Sequence, residues 1–292
     1  MSKVLKWGGV AIGAVGGLVL LAVVLVFVVS EMMLDRTYPA KPDSLRVTAT
    51  PAAIAQGRHL ARVAGCEGCH RTDLTGAKMD DVPGSTVYAP NLTLLGKLSD
   101  ADLDRILRQS RMPDGRSVVV MPTRIFAHLT DGEAAAIIAY LRTLKPHGNT
   151  TPDLRFGLMA RAGLIMGMFD TEMAAVAKAK RPLDLGPRYA AGRHITQVIC
   201  AGCHGTDLGG QPKDSILPSP DLMIVAGYSR EQFRTLMRTG KAAGGRDLGL
   251  MSLVARADFT NFSDAEVDAL YDYLGARASA LLAQPGKPAG RK

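Results

Sequence analysis

Cys66-Glu67-Gly68-Cys69-His70 and Cys200-Ala201-Gly202-Cys203-His204 are two copies of one five-residue pattern, and they use all four cysteines of the 292-residue chain. Cys-x-x-Cys-His is the pattern that attaches a haem covalently. The two thiols form thioethers to the porphyrin, and the adjacent imidazole takes one axial position on the iron. Two intervening residues turn the chain so that both sulfurs reach one macrocycle. A zinc site would need four ligands gathered around each metal, and a redox dithiol has no use for the histidine that follows. The two copies therefore point to two haems c, held by Cys66 and Cys69 and by Cys200 and Cys203, with His70 and His204 as iron ligands.

The sequence around the motifs is also written twice. Gly57-Arg58-His59 precedes the first and Gly192-Arg193-His194 the second; Thr72-Asp73-Leu74-x-Gly76 follows the first and Thr206-Asp207-Leu208-x-Gly210 the second. Farther on, Pro90 and Pro220, Leu92 and Leu222, Ser99 and Ser229, Arg108 and Arg238, and Met121 and Met251 correspond at a constant offset of 130. Each copy reads as helices joined by Gly- and Pro-rich loops. Apolar residues recur at helical spacing ahead of each motif. Ser99 and Ser229 cap a middle helix, and the capping boxes Thr130-x-x-Glu133 and Ser263-x-x-Glu266 open a last one.

A haem with one histidine needs a second ligand or an open site, and that choice separates electron transfer from catalysis. Thirteen methionines make any single one uninformative. The repeat narrows the field, because Met112 aligns with Ala242, Met237 with Leu107 and Met223 with Thr93, whereas Met121 and Met251 align with each other. These two are the expected sixth ligands. Met121 is followed by Pro122, but Met251 by Ser252, and the interval from His to Met is 51 residues in the first copy and 47 in the second. His59 and His194 also correspond, yet they sit on the helix approaching each motif and are expected to pack or to face a propionate. A histidine ligand also needs its other ring nitrogen satisfied.

Residues 7–29 contain no charge, Lys3 and Lys6 precede them, and Glu31 and Asp35 follow. As a helix this run reaches about 35 Å, enough to cross a bilayer. The run exceeds the apolar core of a cleaved signal peptide, so a retained anchor is expected, with everything after it exported. The formal charge of +8 includes Lys3 and Lys6, and haem propionates would offset much of the remainder. Nucleic-acid binding has no support in this balance.

These residues resemble class I cytochrome c domains, joined in tandem as in membrane-anchored di-haem cytochromes c. The resemblance implies an all-α fold of two such domains behind a single N-terminal transmembrane helix. Residues 1–6 form a cytoplasmic tail, 7–29 the anchor, 30–50 an extended tether, 51–146 and 187–279 the domains, 147–186 an inter-domain segment and 280–292 a tail. The resemblance further implies that Gly57 and Gly192 let the first helix of each domain cross the last, near Tyr140 and Tyr273. It also implies that the carbonyls of Pro90 and Pro220 accept a hydrogen bond from the proximal histidines. The apolar residues 156–169, too short to span a bilayer, are expected to pack across both domains; a membrane-surface helix or a docking face is the alternative.

The function expected is electron transfer on the periplasmic side of a bacterial inner membrane. The donor would be a periplasmic or membrane dehydrogenase or a quinol-oxidising complex, and the acceptor an oxidase or a soluble cytochrome. Two His/Met-ligated haems make this a carrier, not an enzyme. The alternatives are a di-haem cytochrome c peroxidase-like enzyme, which needs one open iron, and the di-haem subunit of a haem-copper oxidase.

Overall fold

The computed structural model describes residues 3–42, 45–80, 84–215 and 217–283. The chain is mostly helical. The first helix, α1, runs Lys3–Leu34, and its apolar part, Trp7–Leu34, is long and apolar enough to cross a membrane. The first copy then contributes α2 (Pro51–Val63), α3 (Asp100–Gln109) and α4 (Asp131–Arg142), followed by α5 (Leu158–Ile165) between the copies. The second copy contributes α6 (Ala190–Ile195), α7 (Arg230–Thr239), α8 (Leu250–Ala257) and α9 (Asp264–Leu282). The expected caps are in place. Ser99, Thr130, Ser229 and Ser263 each accept from the backbone N–H three residues on and complete a capping box.

Each copy is built on a crossing of its first and last helices at a glycine. A Cβ on Gly57 would lie 1.9 Å from the Ala136 carbonyl oxygen and 2.9 Å from Tyr140 Cβ; one on Gly192 would lie 2.0 Å from the Ala269 oxygen and 2.7 Å from Tyr273 Cβ. Only a residue without a side chain permits that approach.

The repeat extends to backbone detail. Leu74 and Leu208, both buried, hold positive φ angles of 59° and 63°, which leucine rarely adopts. In each copy this turn sends the chain back beneath the motif, with Gly76 N donating to His70 O and Gly210 N to His204 O. A small hairpin follows in the first copy, β1 (Ala77–Asp80) against β2 (Val87–Ala89). Among the described residues, the second copy keeps there a single bridge, Gln211 to Ser219. The hairpin accounts for the unequal His-to-Met intervals. His and Pro are 20 residues apart in the first copy and 16 in the second, whereas Pro to Met is the same in both.

Three expectations change. The tether is extended but not free: Tyr38 N donates to Gly115 O at 2.9 Å, Arg111 Nε to Tyr38 O at 2.8 Å and Lys41 N to Gln109 Oε1 at 3.1 Å. Its unpaired backbone groups find partners on the turn around Gly115, so the first copy is docked close to α1. The last helix of the second copy runs past the domain end expected at residue 279, to Leu282. On this helix Arg277, 4% exposed, donates to Asp221 Oδ1 at 2.8 Å and to Asp207 O at 3.0 Å. The first copy fills the matching place with Asn91, which donates to His147 O.

The third change concerns residues 156–169. Their flanks touch both copies, through Glu172 on Arg124 and Lys180 N on Thr206. The apolar stretch itself packs on the end of α1, where Arg161 meets Glu31, Ser30 and Phe27. The tail expected at 280–292 lies, from residue 284, outside the described residues.

The two copies share one apolar cluster. It runs from Val63, Ile125, Phe126 and Leu129 of the first to Val198, Ala201, Phe259 and Phe262 of the second. Their contact is reciprocal. His59 Nε2 donates to Glu266 Oε1 at 2.8 Å, and His194 Nε2 donates to Glu133 Oε1 at 2.9 Å. Both histidines and both glutamates are repeat-equivalent, so residue i of one copy meets j of the other in both directions, as across a two-fold axis. His59 and His194 thus join the copies.

Burial alone would raise the Glu133 and Glu266 carboxyls, but the histidine and capping hydrogen bonds outweigh it and hold both below their ordinary value. The stabilisation is therefore full above about pH 4.5 and is lost as pH falls through the lowered folded value. Replacing His59 and His194 together by glutamine is expected to lower stability at pH 7 by roughly 0.5–1 kcal/mol per pair, given their partial exposure. The deficit should shrink in urea titrations as pH falls below about 4.5.

Candidate haem-binding sites

In the first copy the motif forms a short helical turn, Cys66–His70, two residues after α2; in the second, the helical segment Thr196–Cys200 carries the chain on from α6 into Ala201–His204. The turn brings the two sulfurs to one side and buries the histidine, with His70 5% and His204 9% exposed. Both imidazoles are oriented in the same way. His70 Nδ1 donates to Pro90 O at 2.8 Å, and His204 Nδ1 donates to Pro220 O at 2.9 Å. That bond fixes the tautomer and leaves Nε2 as the nitrogen able to bind a metal. Burial lowers the pKa of both rings, against the opposing effect of the proline carbonyls. Each ring is therefore held neutral, the form that can ligate.

The donor set fits a covalently attached haem in each copy. The four cysteines form no disulfide, and among the described residues no three His, Cys, Asp or Glu side chains are grouped to hold a metal ion. Burial pushes the Cys66 and Cys200 thiols up to about 12, with their partner cysteines adding to it. They are neutral thiols next to an oriented histidine. A buried, neutral thiol is poorly suited to hold a metal as thiolate.

Met121 and Met251 are both half-buried and pack against the shared apolar cluster, which also contacts Cys200 and Ala64. Met79 and Met112 are 37% and 39% exposed, and Met237 is buried on α7 in the core. Met121 immediately precedes Pro122 and the short helix Thr123–Phe126. Met251 differs from the expected loop position, because it lies in the first turn of α8. Without a proline after it, the helix begins at once. Ser252, at the place of Pro122, anchors it by donating its hydroxyl to Gly240 O and accepting from Leu248 N at 2.8 Å.

Two charged residues that sequence reasoning missed reach across to the partner copy's motif. Arg124 lies against the second: its Nη2 approaches Gly202 O at 3.5 Å while Nη1 holds the buried Glu172 at 2.5 Å. Asp258 lies against the first, where a Cβ on Gly65 would be 3.4 Å from its Oδ2. No cation is paired with Asp258 among the described residues, and burial, with Glu67 nearby, pushes its carboxyl up to about 6. The two motifs thus face opposite charges. Neither residue stands out in sequence, because each acts on a motif more than seventy positions away.

The unfolded chain loses the Asp258 proton near its ordinary value of 3.8 and the folded chain near 6. The fold therefore loses stability as pH rises between these values, and the loss is complete above them. Asp258→Asn should exceed the parent in stability by on the order of 1–2 kcal/mol at pH 7.5 and match it near pH 4. Urea midpoints at the two pH values check this. Equal midpoints at pH 7.5 would contradict it.

The Cytochrome c family model matches this chain twice, over residues 54–145 and 189–277. The chain belongs to the cytochrome c family. It is also similar to the fructose dehydrogenase cytochrome subunit of Gluconobacter japonicus, at 25% identity over 274 residues. That match covers 82% of this chain and 55% of the relative, so the chain spans little more than half the length of the relative it matches. Family membership implies covalently bound haem c, and the two matched stretches each hold one of the motifs described above.

Proposed function

We propose that this chain is a membrane-anchored electron carrier that takes electrons from a dehydrogenase and passes them to an oxidase or a soluble cytochrome. The observation that carries the reading is the doubled histidine geometry: two motifs, two proline carbonyls and one continuous core between them. Cys66 and Cys69 hold one haem and Cys200 and Cys203 the other, with His70 and Met121 on the first iron and His204 and Met251 on the second. A haem ligated in this way supplies one-electron chemistry at a raised potential without an open coordination position.

The protein's residues do the rest. Pro90 and Pro220 orient the imidazoles; the apolar cluster keeps water from the space between the motifs; His59 with Glu266 and His194 with Glu133 hold the two sites in one rigid body. Residues 7–29 span the bacterial inner membrane, and the two domains, 51–146 and 187–279, lie on its periplasmic side. The similarity to a dehydrogenase's cytochrome subunit favours a dehydrogenase as donor over a quinol-oxidising complex.

Isolation from native membranes under mild detergent tests the proposal. A dehydrogenase should accompany the chain, and its substrate should reduce both haems, two electrons per chain. An isolated chain that turns over hydrogen peroxide, or that no associated dehydrogenase reduces, would overturn it.

A further inference from the structure

Among the described residues outside α1, the segment between the two copies holds the largest group of exposed large apolar side chains. On α5 and the turn after it, Met159, Met166 and Met168 are 67%, 69% and 61% exposed, and Leu154, Leu158 and Ile165 around them are 42%, 42% and 39% exposed. Met159 and Met166 are seven apart and lie on one face. A soluble protein rarely leaves such a patch bare. Eight residues of helix are far too few to span a bilayer.

What covers the patch follows from where α5 is fastened. Arg161 points inward, to the end of α1. Its guanidinium lies 2.5 Å from Glu31 Oε2, 2.8 Å from Ser30 Oγ and 4.8 Å from the Phe27 ring centroid. Counting from Trp7, twenty residues of helix rise about 30 Å, the thickness of the hydrocarbon layer, and arrive at Phe27. Arg161 therefore clamps α5 to α1 at the level where hydrocarbon gives way to headgroups. The tether adds a second restraint, with Arg116 reaching Asp35 at 3.3 Å and Tyr38 bonded to Gly115.

We infer that α5 and residues 166–168 form a seat that rests in the headgroup boundary of the bilayer and fixes the first haem domain against the membrane. This rests on α1 spanning that bilayer. The occupant is lipid because α5 is fastened to the end of the membrane helix itself, at Phe27, Ser30 and Glu31, where Met32 and Met33 are also 72% and 37% exposed. The thioether side chains are flexible and apolar, suited to an acyl-chain boundary without a fixed shape. The consequence is orientation: the first motif is held at a set height and angle above the membrane, while the second reaches the membrane only through the first.

The test uses the full chain with its haems, in lipid nanodiscs, carrying one added cysteine at a time for a nitroxide label. The positions are Met159→Cys and Met166→Cys on the seat, Val19→Cys within α1, and Lys213→Cys on the second copy as an aqueous reference. Relaxation by oxygen and by a water-soluble nickel chelate reports depth for each. The seat labels should show an oxygen-to-nickel accessibility ratio several-fold above that at position 213, approaching that at position 19. If position 19 is lipid-buried while 159 and 166 match 213, the seat is overturned and the patch passes to a protein partner. If position 19 itself is open to nickel, or residues 1–34 are missing from the mature chain by mass, the anchor fails and the seat with it.

Discussion

Gly57→Ala is expected to destabilise the first haem domain by roughly 3 kcal/mol or more, the upper range for overpacking. The added methyl carbon would fall 1.9 Å from the Ala136 carbonyl oxygen and 2.5 Å from its carbon. Both are backbone atoms in the middle of α4, so no side-chain rotation relieves the contact. Helices α2 and α4 must move apart, and Ala61 and Tyr140, buried at this crossing, lose their packing. Gly132→Ala in the first turn of α4 provides the contrast, since nothing lies within 4 Å of its added carbon. That change should be neutral or stabilising by about 0.5–1 kcal/mol, through helix propensity. Two glycine-to-alanine changes near one helix thus differ in sign. Denaturant titrations, together with the haem content of the purified variants, measure both. A Gly57→Ala protein as stable as the parent would refute the crossing.

Met121→Ala is expected to convert one haem and leave the other as it was. Axial ligands span a range of about 0.8 V in haem proteins, and a thioether sits on the high-potential side. Loss of the methionine should lower that haem's potential by on the order of 0.1 V or more and replace its low-spin signature with a high-spin one. Met251→Ala should do the same to the second haem alone. Met79→Ala and Met112→Ala should change neither, since both side chains face solvent. Redox titration of the four variants separates these outcomes. Unaltered low-spin haems in Met121→Ala would overturn the assignment. The second haem carries the sharper test, because Met251 sits in a helix without the proline that follows Met121.

Much of this was legible in the chain because the repeat acts as an internal comparison. The cysteines, the proximal histidines, the paired methionines, the capping boxes and the glycines at the helix crossings all recur. In the structure the caps fall where the capping boxes place them, and the glycine crossings and histidine–proline bonds lie at the residues the family resemblance implied. The shorter His-to-Met interval of the second copy read as a shorter loop, and the structure places the difference between His and Pro, where the first copy carries its hairpin.

Other features depend on partners that no local pattern announces. His59 meets Glu266 across 207 positions of chain, and His194 meets Glu133 across 61. A hint was available, since both members of each pair are repeated, but proximity to the motif drew the reading toward the haem. No local pattern announces the docking of the tether, because Tyr38 and Lys41 bond through their backbone groups, which every sequence has. Arg161 settles the place of the apolar segment by choosing Glu31, far behind it in the chain. Asp258 and Arg124 likewise act on the opposite copy.

The central claim is that both irons are closed by a histidine and a methionine, and spectroscopy of the oxidised full-length protein tests it most directly. The account predicts two low-spin haems per chain, each with a methionine–iron charge-transfer band, and no carbon monoxide binding after reduction. A high-spin signal from either haem, or carbon monoxide bound at one of them, would contradict it.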